Sequence, residues 1–171
     1  MGSTVIAVIF ALVLVLLLAI RPLKRRTSSA ERKKATANEY NSGEEAALPG
    51  IIVASLAAQK AFVSIASGGI HEWARDRFSI GYIGGYTDAI LQLKGIESKA
   101  VAEGIANHVF AAAFSHDDGR SLYRKYLSLK LAGDPEVAAG KHSGDSDIMS
   151  WLRNNANIPL GWSDYVLGTV A

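Results

Sequence analysis

The apolar positions of this chain fall into two patterns, one continuous and one periodic. The continuous one is TVIAVIFALVLVLLLAI, Thr4 to Ile20, seventeen residues without a charge. At about 1.5 Å per residue it forms a helix of roughly 25 Å, at the short end of what crosses a hydrocarbon core of about 30 Å. Leu23 and the long stems of Arg21 and Lys24 extend it, because such side chains bury their methylenes and leave the charge at the interface. A cleaved secretory signal places its cations before the apolar run. Here Arg21, Lys24, Arg25 and Arg26 follow it, so the run reads as an uncleaved anchor.

The periodic pattern begins near residue 48. A first helix is expected over about 49–67, starting at Leu48 with Pro49 in its first turn, where a missing N–H is harmless. It is apolar nearly all round, so a second membrane span is the alternative; Gln59 and Lys60 at its middle favour a core helix. A second helix, about 70–94, carries two apolar faces and is therefore expected to be surrounded by neighbours. Gly81, Gly84 and Gly85 each cost it about 1 kcal/mol relative to alanine. Close approach of another helix backbone is the reading preferred for them, ahead of a ligand against the backbone or a break into two helices.

Gly95 ends that helix and Ser98 opens a third, about 99–114. Ser115 and Asp118 form a capping box for a fourth, about 117–132, and Gly133 stops it. Asp134-Pro135 starts a short helical turn through Ala139. GKHSGDS, residues 140–146, reads as a loop by composition, with Asp145 capping a last helix over 146–154. Ile158, Trp162, Tyr165 and Val166 are expected to pack back on the bundle. No stretch alternates with period two, so the fold class is all-α: a transmembrane helix (1–23), a basic flexible linker (24–47), and a compact bundle of about four main helices plus short C-terminal helices (48–171).

Charge sharpens this division. The chain has 18 basic and 16 acidic residues and a formal charge of +2. Seven of the basic residues precede residue 35, against one acid, Glu31; the remainder holds 11 basic and 15 acidic residues, a net of −4. Cations beside a span are retained on the cytoplasmic side, so Arg21, Lys24, Arg25 and Arg26 place the carboxyl side inside and lie at the membrane surface. Compactness and a short anchor suggest a bacterial inner membrane, although an endoplasmic-reticulum protein obeys the same rule. Nucleic acid is a poor partner for this basic run, because no aromatic is interleaved with it and the globular part is acidic. No cysteine occurs, so disulfides and thiolate metal sites are excluded.

Candidate chemistry is sparse. His71-Glu72 lacks the second histidine of a zinc-protease helix. His116, Asp117 and Asp118 offer imidazole and carboxylates to a cation, but carboxylates at a helix start are explained by the dipole without a metal. His108 stands eight residues before His116. Asp88, among small and aromatic residues, reads as a carboxylate bonded to a tyrosine or an arginine. Arg124-Lys125 can bind a phosphate or an acidic surface, yet a solvated helix face with weak ion pairs is the preferred reading. No catalytic residue, metal or cofactor is assigned. Two functional expectations result. The first is a single-pass membrane protein presenting an interaction or scaffold module to the cytoplasm, with the bilayer and a protein partner or second copy as partners. The alternative is a tethered enzyme or small-ligand binder using Asp88, His108, His116 and Asp117 beside the glycine-rich helix.

Overall fold

A computed structural model of the chain describes residues 37–68, 73, 76–154 and 159–170. The expected anchor and the cations Arg21, Lys24, Arg25 and Arg26 lie outside the described residues, as do His71, Glu72, Arg75 and Ile158. Among the described residues there are six α-helices and no strand: α1 Ala37–Ser67, α2 Arg77–Leu93, α3 Lys99–Phe114, α4 Gly119–Leu131, α5 Pro135–Asn154 and α6 Gly161–Val170. The chain divides into two compact units, Met1–Ala58 and Gln59–Ala171.

In the first unit the described structure is the amino-terminal part of α1. The helix expected to start at Leu48 is already formed at Ala37, the first described residue, with Pro49 inside it. An interior proline costs about 3 kcal/mol. The run Glu44-Glu45-Ala46-Ala47 before it favours helix, and Leu48, Ile52 and Leu56 after it are buried along one stripe. Within α1, Glu45–Ala66 is long and apolar enough to cross a membrane by length and composition.

The second unit is a helical bundle centred on α2, whose residues 79–87 are all buried. Asp76 caps α2, its Oδ2 accepting from Ser79 N at 2.6 Å. Gly95, at φ +65°, closes it, with Ile96 N–H donating to the Leu91 carbonyl. The expected capping box at Ser115 and Asp118 resolves differently. Ser115 ends α3 in the left-handed region at φ 49°, and Asp118 itself caps α4, accepting from Ser121 N at 2.9 Å. Gly133, at φ +69°, follows α4, and Asp134 caps α5 by accepting from Glu136 N and Val137 N.

The largest departure from the sequence reading lies in α5. Residues 140–146, expected as a loop, are the middle of one helix from Pro135 to Asn154, and Asp145 is an interior residue of it rather than a cap. Composition misleads here because Gly140 and Gly144 are not turn residues. With Val137, Ile148 and Trp151 they form the buried stripe of α5. Packing on α2 overrides the poor helix propensity of the segment.

Candidate functional site

The interior of the second unit is built on a seam of glycines. Helices α2 and α5 run parallel, and their backbones meet where side chains are missing. A Cβ placed on Gly81 would overlap the Val137 carbonyl, and one on Gly85 the Lys141 carbonyl. From the other side, Cβ atoms on Gly140 and Gly144 would overlap the carbonyls of Phe78 and Tyr82. The two glycine pairs, each with i, i+4 spacing, therefore face one another, which puts each pair on one side of its own helix. Gly84 serves a different neighbour, since a Cβ there would run into the ring of Tyr126. The backbone of α2 at these three glycines is thus covered by α5 and by a ring of α4. Arg77 sets the register of the seam at its start, its Nη1 lying 2.8 Å from Asp134 Oδ2, the carboxylate that also caps α5.

Beside the seam lies a buried polar network. Tyr82 Oη donates to Asp147 Oδ2 at 2.8 Å and accepts from Gln59 Nε2 at 2.9 Å. Gly161 N donates to the same Asp147 oxygen at 2.8 Å, and Trp162 N donates to Gln59 Oε1 at 3.0 Å. The indole Nε1 of Trp162 donates to Ser79 Oγ at 2.9 Å. Gln59, Ser79, Tyr82 and Trp162 are each fully buried. The first turn of α6 follows Pro159-Leu160, which offers no capping side chain, so its free N–H groups take their acceptors from α1 and α5. Lys60 behaves in a related way: its ammonium donates to the Ala112 carbonyl in the last turn of α3, where a cation complements the helix dipole.

A smaller polar cluster surrounds Asp88. Its Oδ2 accepts from Tyr126 Oη at 2.8 Å and from Lys130 Nζ at 3.0 Å, and that ammonium also stands 5.3 Å from the centre of the Tyr126 ring. Burial first, and then the carboxylates of Asp147 and Asp88 respectively, push the phenols of Tyr82 and Tyr126 far above their ordinary value. Tyr165, which donates to Asp76 Oδ1 at 3.0 Å, is pushed up to about 12 by burial and by that carboxylate. At neutral pH all three phenols are fixed hydrogen-bond donors rather than acids or bases.

The other candidate residues do not come together. His108 is exposed on α3. His116 and Asp117 are exposed in the α3–α4 turn, where His116 Nδ1 accepts from Asp118 N at 3.0 Å. Among the described residues no three histidine or acidic side chains are grouped to hold a metal ion. A groove of about 440 Å³ lies between the end of α2 and α5, lined by Leu93, His142, Asp145, Met149 and Arg153 among others. Its lining mixes apolar, polar and charged side chains.

The sequence reading used Gln59 only as a sign of a core helix, and it did not single out Ser79, Gly140, Gly144 or Asp147. The signal for the glycines was available: Val137, Gly140, Gly144, Ile148 and Trp151 recur at three- and four-residue spacing once glycine is counted as a face residue. The partners of Gln59 and Asp147 lie across the fold and leave no local signature. Compared with protein-family models, with curated proteins and with solved structures, the chain matches none.

Proposed function

We propose that the protein is a single-pass membrane protein that presents the helical second unit to the cytoplasm as an interaction or scaffold module. The observation that carries the reading is the uncharged run Thr4–Ile20 followed at once by Arg21, Lys24, Arg25 and Arg26, an order that anchors a chain and retains its carboxyl side within the cell. A bacterial inner membrane is the setting we infer. The geometry of the second unit supports an interaction role over a chemical one. Its glycine-rich helix is covered by α5, and its buried tyrosines and Gln59 are engaged in internal bonds. His116 and Asp117, the residues on which a ligand site would draw, stand in solvent without converging on the seam.

Two measurements on the full chain test this. Alkaline carbonate should leave the protein in the membrane fraction, and protease should reach the second unit only from the cytoplasmic side. Release by carbonate, or protection from cytoplasmic protease, overturns the anchored topology. Purification in mild detergent, followed by mass spectrometry of retained proteins, metals and metabolites, tests the module. A stoichiometric protein partner or second copy is expected, whereas a stoichiometric metal or metabolite alone would reverse the assignment.

A further inference from the structure

Helix α4 concentrates positive charge in an otherwise acidic part of the chain. Residues 35–171 carry 11 basic and 15 acidic residues, yet α4 holds Arg120, Arg124, Lys125 and Lys130 and no acid. Lys130 is engaged with Asp88. The two arginines point elsewhere. At roughly 100° per residue, Arg120, Arg124, Leu127 and Leu131 fall within about 60° of one another around the helix, opposite the inward-facing Leu122 and Tyr126. Arg120 and Arg124 are exposed, Leu127 is half-buried, and Leu131 is 89% exposed, the highest value among the large apolar side chains of the described residues. Asp117 stands ahead of the first turn, and Asp118 is occupied in capping it.

Two exposed arginines in line with the half-buried Leu127 and the exposed Leu131 on one helix face form the pattern of an interfacial helix, in which cations meet lipid phosphates and the apolar side chains enter the headgroup boundary. We propose that the outer face of α4 docks on the anionic surface of the bilayer to which the chain is tethered. The inference rests on the membrane-anchored reading, which makes that surface available at high effective concentration. Charge complementarity selects the lipid: a cationic stripe on a net-acidic module meets a leaflet rich in anionic headgroups. A protein partner on this face is the competing outcome, and the test separates the two.

The sequence lacks cysteine, so Leu131→Cys gives a single labelling site, with Leu93→Cys on the groove side as control. The full-length protein is placed in nanodiscs of phosphatidylcholine with or without phosphatidylglycerol, and each site carries an environment-sensitive fluorophore. In anionic discs the probe at 131 should shift to the blue and be quenched by headgroup-attached quenchers, and high salt should abolish both effects. The probe at 93 should not change. Arg120→Gln with Arg124→Gln should lower the ratio of docked to free by about 30-fold, since each cation near such a surface contributes on the order of 1 kcal/mol, with an unchanged circular dichroism melt showing that the fold is kept. An identical environment at 131 in both kinds of disc, or crosslinking from 131 to a co-purified protein in place of lipid, overturns the proposal. Failure of the chain to enter discs would instead count against the anchor. The labelled chain mixed with anionic vesicles then reads the face alone: a blue shift supports docking and its absence overturns it.

Discussion

Helices α2 and α5 meet by leaving side chains out, whereas α3 and α4, beyond one glycine contact where Gly119 lies on the α3 backbone at Asn107 and Ala111, meet by putting rings in. Along the first contact Gly81, Gly85, Gly140 and Gly144 let backbone lie on backbone. Along the second, Phe110 packs against Tyr123 and Tyr126 with ring centres 5.7 and 5.8 Å apart. Both surfaces are tight, but they fail in opposite directions. Nothing can be added to the glycine seam without moving a helix, and nothing can be removed from the aromatic contact without leaving a void.

The largest expected effect is on the aromatic side. Phe110→Ala should lower stability by about 3–5 kcal/mol, because a fully buried ring is replaced by a cavity; urea denaturation of the protein in mild detergent measures it. On the seam, Gly85→Ala should destabilise by roughly 1–3 kcal/mol although it adds only a methyl group and improves helix propensity. A neutral or stabilising Gly85→Ala would mean that the two surfaces are not opposites. Gly104→Ala calibrates the comparison, since Gly104 sits within α3 with no atom within 4 Å of an added Cβ. It should stabilise by about 0.5–1 kcal/mol, and the difference in sign between positions 85 and 104 isolates the close approach from propensity.

The polar network gives an intermediate effect. Tyr82→Phe keeps the ring but leaves Asp147 and Gln59 each short of a partner, at a cost of about 1–3 kcal/mol. The same tyrosines make the bundle alkali-sensitive. A phenol whose folded pKa is raised stabilises the fold fully below the unfolded value near 10, and that stability is lost as pH rises through the folded value. For Tyr165 the window runs from about 10 to about 12, while Tyr82 and Tyr126 extend it upward. Urea midpoints should therefore hold steady between pH 7 and 9 and fall above pH 10.

Much of the helical layout is legible locally because its punctuation is local. Gly95 and Gly133 adopt the positive φ that ends a helix, and Asp134 before Pro135 starts one. The seam is the instructive failure. A glycine at residue 144 looks like a turn residue until its partner helix is known, and that partner lies beyond two intervening helices. Asp88 is bonded to a tyrosine, Tyr126, one of the two partner types expected for it, and also to Lys130, which was not. Nothing near Asp147 announces that its carboxylate closes the start of α6.

Parallel helices cannot be joined by a short turn, and this predicts an order in which the seam closes. Leu93 ends α2 and Pro135 begins α5, so α3 and α4 together form the crossover between them. The hairpin of α3 and α4 makes contacts between near neighbours in sequence, whereas the glycine seam must close a loop containing the whole hairpin and bear its entropy. Substitutions at Phe110 should accordingly slow refolding, and substitutions at Gly85 should mainly hasten unfolding. On this order of events the kinetic lifetime of the native bundle is expected to depend on four glycines whose contribution is the absence of a side chain.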